Sequence, residues 1–348
     1  MNENAKPKAK GKEPSTDLPH DEHRKKRVMA TLEECVNQGK AIRETLSSQK
    51  AKLIEIAKAM HQRQVNRVII VGCGDSLIVG QGVRLAFEKL LNIPTEPVQA
   101  LDYGLYFHET ADEHTAVIGI SSSGKTKAVL NALTKAKEKG AYCLGMTNTP
   151  ESPLGQDFSN RLIIHATRVG WPTQASTAGM AALIQLAIHL AKETGSSTQK
   201  EIEDLEKALA LLPEKISALI ETATPPMQEL AQKWVRAHYI LLCGAGSNIA
   251  PAAFGAAKIT ELSPVRGISI QMEEFHHYRT IKPGDPMLLF APDEAAHEKA
   301  VGTAEVAVFD GGDVFAVVPE GEEEISSAVQ DSIKVAAVHE FLKPILYA

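Results

Sequence analysis

The segment Gly119–Thr126 (GISSSGKT) has the residue types and spacing of a phosphate-binding loop. It matches the pattern G-x-x-x-x-G-K-[ST] of loops that hold ATP or GTP. An apolar run precedes it and a helical pattern follows it, so the loop is expected at a helix N-terminus, where backbone N–H groups attract anions. Three serines and Thr126 add hydroxyl donors, whereas a nucleotide loop relies more on its backbone and its lysine. A nucleotide site, a site for another phosphate and a plain Ser-rich turn all remain open from the motif alone.

A second group with chemical potential lies near the other end of the chain. Lys258 and Glu261 are three residues apart in a helical pattern, so they share one helix face. An exposed ion pair would explain this spacing equally well. The segment EEFHHYR that follows contains His276 and His277, and an imidazole can exchange protons near neutral pH.

Strands that alternate with helices must position these residues. Apolar runs bounded by Gly, Ser or Asn predict buried strands, and helical patterns cover about 29–61, 79–91 and 177–193. This alternation predicts an α/β fold with a doubly wound parallel sheet. The runs that predict strands in the first half of the chain are NRVIIVGCGDS, HTAVIG, AYCLGMTN and RLIIHATR, and IPTEPVQALDY predicts a further short strand.

The second half of the chain resembles the first at an offset of about 170 residues. The segment that begins HYILLCGAGSN has the same order of strand, glycine turn, helix with a glutamate, proline break and short strand as the one that begins RVIIVGCGDS. Glu88 and Glu261 are the corresponding glutamates. Internal similarity is stronger evidence than one motif. We predict a flexible polar tail at 1–28, a first lobe at 29–198, and a second lobe with a C-terminal tail at 199–348.

Composition limits the kinds of partner, location and cofactor that are expected for this protein. The chain has 348 residues, a hydrophobic fraction of 44% and a net charge of -6, which gives no reason to expect a nucleic-acid partner. Its most apolar helical run is too short to span a membrane, and no signal peptide is recognised. Four scattered cysteines indicate a reducing compartment, so a cytoplasmic protein is expected. No grouping of residues predicts a metal or another cofactor.

From about residue 30 to the end, the sequence resembles the double SIS (sugar isomerase) family, which includes the isomerase half of glucosamine-6-phosphate synthase and the fructoselysine-6-phosphate deglycases. The resemblance implies two SIS-type, flavodoxin-like lobes. No glutaminase domain precedes the match, so glutamine-dependent synthesis is not implied. The motifs that carry the resemblance are GCGDS at 72–76, SSSGKT at 121–126, ASTAG at 175–179, and KITEL followed by EEFHH.

The resemblance also implies which residues bind the substrate. In the family, the loop S-x-S-G-x-T holds the phosphate of a sugar, so GISSSGKT is interpreted as a sugar-phosphate site and not an ATP site. A Walker-B-like VAVFD ending at Asp310 is interpreted as an ordinary strand end. The residues implied in binding are Ser121, Ser123 and Thr126, with Ser122 at a position that is often glutamine, together with Ser76 and Ser176.

Catalytic roles follow from the same resemblance. Glu261 corresponds to the base that moves a proton between C1 and C2 of an open-chain sugar, and Lys258 could stabilise charge on oxygen. His277 corresponds to a ring-opening histidine that often reaches the neighbouring subunit's site, which implies a homodimer. His276 is interpreted as a structural neighbour, and Lys343 resembles the lysine of a C-terminal tail that folds over the sugar.

The predicted function is aldose–ketose isomerisation of a phosphorylated or similarly anionic sugar through an enediol or enediolamine. One alternative is deglycation or deamination of an amino-sugar phosphate. Another is a non-catalytic sugar-phosphate-binding regulator. Glu261 and His277 favour the enzyme.

Overall fold

The computed structural model describes residues 22–292 and 294–348. In these residues, ten strands form two parallel sheets with helices on their faces. The first sheet has the strand order β2-β1-β3-β4-β5, and the second has the equivalent order β7-β6-β8-β9-β10. The prediction of two doubly wound, flavodoxin-like lobes is confirmed. The strands are β1 (Arg67–Gly72), β2 (Thr95–Gln99), β3 (Thr115–Ile120), β4 (Tyr142–Thr147), β5 (Arg161–Ile163), β6 (Tyr239–Gly244), β7 (Arg266–Gln271), β8 (Pro286–Phe290), β9 (Asp313–Pro319) and β10 (Asp331–Val335).

The helices connect these strands and cover both faces of the central strands of each sheet. A π-helical turn (Tyr103–Phe107) and several 3-10 turns complete the connections. The α-helices are α1 (Glu22–Val36), α2 (Gln38–Gln62), α3 (Asp75–Leu91), α4 (Ala100–Asp102), α5 (Lys127–Glu138), α6 (Pro153–Gln156), α7 (Gln174–Thr194), α8 (Gln199–Trp234), α9 (Ile249–Leu262), α10 (Met272–Tyr278), α11 (His297–Phe309), α12 (Glu324–Ala328) and α13 (Lys343–Leu346).

Burial explains why the central strands could be recognised. Every residue of β3 and β4 is buried, because helices cover both faces of the sheet. A parallel strand in that position is a continuous apolar run and does not alternate with polar residues. By contrast, β10 (DSIKV) lies at a sheet edge with one buried residue, and its weak pattern did not predict a strand.

The two lobes share apolar contacts. One core cluster contains residues of both sheets, and α3 of the first lobe packs against α9 of the second. The long helix α8, which begins the predicted second lobe, packs against α2, and Arg43 pairs with Glu214 at 2.7 Å. The two helices that carry Glu88 and Glu261 therefore lie side by side at the contact between the lobes.

Two segments differ from the sequence interpretation. Residues 22–28, predicted within the flexible tail, form the start of α1, because arginines on this helix pack against Trp171 (the guanidinium of Arg27 lies 4.1 Å from the ring centroid). Residues 1–21 of the predicted tail lie outside the described residues. The VAVFD segment is not a strand end: it closes helix α11, and Asp310 accepts hydrogen bonds from the Arg279 guanidinium.

Candidate functional site

A cavity of about 430 Å³ opens at the carboxyl ends of the strands of the first sheet. Its floor is formed by the turns after β1 and β3, where the order of the strands reverses. Open parallel sheets bind their ligands at this switch point. Helix α9 of the second lobe closes one side with Ala257 and Glu261. The cavity brings together seven of the residues named from the sequence: Ser76, Ser121, Ser122, Ser123, Thr126, Ser176 and Glu261.

Hydroxyl groups converge in the loop between β3 and α5. Ser121 Oγ lies 2.8 Å from Thr126 Oγ1 and 3.4 Å from Ser123 Oγ. We call Ser121, Ser122, Ser123 and Thr126 the hydroxyl cradle. Thr126 precedes the first turn of α5, and its side chain does not cap that helix. Backbone N–H groups at this helix N-terminus, together with the hydroxyls, suit a phosphate or a similar tetrahedral anion.

Ser122 differs from the other members of the hydroxyl cradle. Its hydroxyl donates to Asn148 Oδ1 at 3.0 Å, and its carbonyl accepts from the backbone N–H of Asn148. Asn148 in turn donates to the carbonyl oxygens of Ile164 and Ala166. Ser122 therefore joins the cradle to the segments that follow β4 and β5, and it fixes the shape of the loop.

The position of Lys125 in this loop differs from that of the lysine in a nucleotide-binding loop. Lys125 is exposed and does not line the cavity, whereas a P-loop lysine reaches the phosphates. Gly124 has φ +61°, and a Cβ placed there would lie 1.8 Å from Ser152 Oγ. The loop is thus folded tightly against the start of α6, and the groups that it offers to a ligand are hydroxyls and backbone N–H groups.

A charged triad stands at the contact between the lobes. Lys258 Nζ donates to Asp75 Oδ2 at 2.7 Å and to Glu261 Oε2 at 2.6 Å. The side chains of Lys258 and Asp75 are only 11% and 13% exposed, and that of Glu261 is 35% exposed. Burial raises the pKa of the Asp75 carboxyl, and the nearby Lys258 ammonium opposes this effect. The helix spacing that we noted in the sequence thus places Glu261 at the cavity, with Lys258 behind it.

Helix α1 adds a wall that the sequence did not predict. Arg27 lines the cavity with Arg168 and Trp171, which lie on the loop between β5 and α7. The helix holds this loop in place, since Thr31 Oγ1 accepts from the Trp171 N–H at 2.9 Å and Glu34 Oε1 accepts from the Val169 N–H at 2.7 Å. These contacts join distant parts of the chain, and no local motif marks them.

Helix α1 also reaches the second lobe. The Arg24 guanidinium donates to the carbonyl oxygen of Glu261 at 3.0 Å. The helix therefore touches both the aromatic wall at Trp171 and the end of α9. It contributes two basic residues to the surroundings of the cavity, where an anionic ligand would gain from them.

The other predicted catalytic residues lie elsewhere. His277 is on α10, its side chain is 68% exposed, and its Nε2 lies 3.6 Å from Glu273 Oε1. His276, expected to be a structural neighbour, has its Nε2 2.9 Å from Thr303 Oγ1. Lys343 donates to the carbonyl oxygen of Pro292 at 3.1 Å, after β8 of the second sheet. Neither His277 nor Lys343 lines the cavity of the same chain.

Fold and site together define a two-lobed α/β protein with a cavity rich in hydroxyl groups at the switch point of its first sheet. Residues 62–189 match the model of the SIS domain. Residues 62–189 therefore form a SIS domain.

Curated relatives extend this match over most of the chain. The chain is 31% identical over 297 residues to an isomerizing glutamine–fructose-6-phosphate aminotransferase of Thermus thermophilus, which covers 84% of this chain and 49% of the relative. It is 28% identical over 326 residues to the aminotransferase of the same name from Clostridium tetani, covering 90% of this chain and 53% of the relative. The chain therefore spans about half the length of the curated relatives it matches.

Solved structures share the fold of both lobes. The C-terminal domain of glucosamine-fructose-6-phosphate aminotransferase from Francisella tularensis superposes with a TM-score of 0.82, at 19% identity, over 92% of each chain. Tagatose-6-phosphate ketose/aldose isomerase from Escherichia coli gives a TM-score of 0.73 at 17% identity, over 90% of this chain and 89% of the other. At these identities the likeness concerns the fold alone.

Two features are absent from residues 22–292 and 294–348. No helix in these ranges is both long and apolar enough to cross a membrane. No group of three or more His, Cys, Asp and Glu side chains in them is arranged to hold a metal ion.

Proposed function

We propose that this protein is a phosphosugar isomerase that interconverts an aldose phosphate and a ketose phosphate. The observation that carries the proposal is one cavity that combines the hydroxyl cradle with the carboxylate of Glu261. A sugar phosphate needs both features, since one end is a tetrahedral anion and the other end must exchange a carbon-bound proton. The names of the curated relatives, which include isomerizing enzymes of fructose 6-phosphate, support the same substrate class.

The proposed chemistry uses one base. The Glu261 carboxylate removes the proton from C2 of the open-chain aldose, the electron pair forms the C1–C2 double bond, and the carbonyl oxygen takes a proton to give the enediol. The same group then returns the proton to C1 while the C2 hydroxyl loses its proton and becomes the ketone. Lys258 holds Glu261 Oε2, so we assign the transfer to Oε1.

Deuterium wash-in is the sharpest test of this proposal. Hexose 6-phosphates are incubated with the protein in deuterated water, and exchange at C1 and C2 is followed by NMR. We expect deuterium in at least one aldose–ketose pair, because the proton on the base exchanges with solvent. A parallel thermal-shift titration should show stabilisation by the sugar phosphate and none by ATP with magnesium. Stabilisation by ATP alone would contradict the assignment of the hydroxyl cradle.

We further propose that the protein acts as a homodimer in which His277 enters the cavity of the partner. The exposed position of His277, away from the cavity of its own chain, supports this arrangement. Glu261→Gln and His277→Ala proteins would each be inactive, and mixing them with subunit exchange should restore part of the activity in hybrid dimers. An active monomer, or no recovery after verified exchange, would refute the shared site.

We also propose that the protein acts in a reducing compartment such as the cytoplasm. The free thiols of all four cysteines support this location.

A second candidate reaction is the cleavage of an adduct between a sugar phosphate and an amine. The observation that favours it is the wall of Arg27, Arg168 and Trp171, which adds positive charge and an aromatic surface beyond the hydroxyl cradle. A substrate with a second anionic group, such as the carboxylate of an amino acid, would use both guanidinium groups. Incubation with amino-acid adducts of hexose 6-phosphates, read by release of the free amine, separates this reaction from isomerisation.

A further inference from the structure

A second cavity of about 380 Å³ lies between the lobes. One side is α3 of the first lobe, and the other is the glycine turn after β6 in the second lobe. Its volume falls within the range of about 300–1,000 Å³ that is typical of small-molecule sites. The residues that line it include Gln81, Arg84, Glu88, Gly246, Ser247 and Gln271.

This second cavity repeats part of the first one with the lobes exchanged. In the first cavity, the turn after β1 contains Gly74 with φ +56° and faces α9 with its glutamate. In the second cavity, the turn after β6 contains Gly246 with φ +55° and faces α3 with Glu88. Both glycines need this left-handed backbone, and a side chain at either would meet no atom within 4 Å. The two turns therefore share a glycine with positive φ and open space beside it, although Gly74 leads directly into α3 and Gly246 begins a 3-10 turn.

Two polar atoms at the second cavity are buried without a partner. Ser247 is only 7% exposed, and its Oγ has no hydrogen-bond partner within the described part of the chain. The same holds for Oε1 of Gln81. Buried polar atoms in folded proteins are nearly always paired, so such atoms beside a cavity require an explanation. Both residues line the cavity, so a rotation of each side chain toward it would let the hydroxyl groups of a ligand pair with both atoms, since a hydroxyl donates and accepts.

The charges at the second cavity favour an uncharged ligand. Arg84 Nε donates to Glu88 Oε1 at 2.9 Å, so the two charges on α3 offset each other. The loop after β8, APDEAAH at 291–297, contains no serine or threonine and offers no equivalent of the hydroxyl cradle. Amide, hydroxyl and carboxylate groups around Leu85, Pro97 and Ile249 suit a small polyhydroxyl compound with an apolar ring face. We propose that this second cavity binds an unphosphorylated hexose.

The test measures D-fructose binding by saturation-transfer-difference NMR. The first cavity is kept saturated with a hexose 6-phosphate, so that the free hexose cannot enter it. We expect saturation transfer to D-fructose in the unmodified protein and in Ser123→Ala, whose change lies in the hydroxyl cradle. The measurement requires no turnover, so failure of the isomerase proposal would leave this result unaffected.

Variants locate the hexose. Gln271 is exposed at the end of β7, so Gln271→Trp should fill the mouth of the cavity and abolish saturation transfer while leaving the thermal midpoint unchanged. Ser247→Ala removes one hydrogen bond and should weaken binding about three- to tenfold. Ser327→Ala, at an exposed serine of the second lobe, is the matched control and should bind as the unmodified protein does.

Two results would overturn the proposal. One is the absence of saturation transfer to D-fructose in the unmodified protein. The other is equal binding in the unmodified protein, Gln271→Trp and Ser247→Ala, which would place the hexose elsewhere. If Gln271→Trp is misfolded, the Ser247→Ala comparison alone decides between the two outcomes.

Discussion

The two lobes have the same strand order, but in the part of the chain that the structure describes the crevices at their switch points are filled to different extents. In the second lobe the corresponding crevice is filled from within. Asn248 Nδ2 donates to the carbonyl oxygen of Ala291 at 2.7 Å, and Lys343 donates to that of Pro292 at 3.1 Å. The ring of Tyr347 stacks on Phe290 at 6.3 Å. The backbone topology thus provides this crevice twice. The side chains leave it open in the first lobe, and in the second lobe they fill the part that lies against the loop after β8.

One turn position accounts for part of the difference. Ser76 follows Asp75 in the turn after β1 and lines the first cavity, whereas the equivalent position after β6 is Asn248. The longer asparagine amide reaches across to the loop after β8, and a serine side chain is too short to do so. The C-terminal helix α13 then covers the second crevice, which explains why Lys343 lies there and not at the first cavity.

The two glutamates give the largest expected contrast between the lobes. Glu261→Gln keeps the shape of the side chain but removes the base, so turnover should fall about 10²–10⁴-fold while sugar-phosphate binding survives. Glu88→Gln should change turnover little, because Glu88 pairs with Arg84 and lies outside the first cavity. Initial rates and binding titrations check both variants. Exchange of solvent deuterium at the unmodified rate in Glu261→Gln would show that another group is the base.

Two glycines with positive φ test how tightly each loop is packed. Gly124→Ala should lower the free energy of unfolding by about 2–6 kcal/mol, since backbone strain is added to a collision with Ser152. Gly246→Ala meets no atom within 4 Å, so only strain of about 1–3 kcal/mol applies. Denaturant unfolding measures both values. Equal losses in the two variants would contradict the tight packing of the loop after β3.

Removal of a hydroxyl group from the hydroxyl cradle should weaken sugar-phosphate binding, whereas removal of a hydroxyl group from the second lobe should not. Ser123→Ala should weaken sugar-phosphate binding by about 1–3 kcal/mol, the worth of one hydrogen bond to a charged group. Ser327→Ala in the second lobe removes an exposed hydroxyl and serves as the control. Calorimetric titration with the same hexose 6-phosphate gives both affinities. Unchanged affinity in Ser123→Ala would mean that the phosphate is held by other groups.

Helix α1 has no counterpart among the described helices of the second lobe. Its contribution to sugar-phosphate binding should be small and should depend on the salt concentration. Arg27→Ala should weaken binding of a sugar phosphate by about 0.2–1 kcal/mol, as is usual for exposed charges, and less at high salt. Lys26→Ala removes the same charge from an exposed position of α1 that does not line the cavity. Titrations at two ionic strengths compare them. An identical small loss in both variants would indicate a general charge effect and no specific role for Arg27.

A buried histidine should make the stability of the first lobe depend on pH. We expect this effect to be smaller than those of the substitutions described above. His189 on α7 is 9% exposed, and its burial holds its pKa below the ordinary value. The folded protein then binds fewer protons than the unfolded chain, so His189 reduces stability as the pH falls below about 6.5. His189→Gln should therefore lose less stability between pH 7 and pH 5 than the unmodified protein. His238→Gln, at an exposed histidine, should follow the unmodified protein.

The sequence determined the fold class and one end of the site. Buried parallel strands are apolar throughout, so β1, β3 and β4 could be recognised from the residues alone, and the similarity of the two halves predicted two equivalent lobes. The hydroxyl cradle was also visible, because its members are neighbours in one loop. The link between Glu261 and Lys258 followed from helix periodicity.

Only the tertiary structure decided which groups meet across the chain. Asp75 contacts Lys258 across 183 residues, and helix α1 holds the loop that carries Trp171, although neither contact leaves a local pattern. Long-range contacts depend on the packing of whole lobes, which residue spacing does not encode. The same reason explains why Lys343, close to the end of the chain, lies at the second crevice: its place is set by where α13 packs and not by its neighbours in sequence.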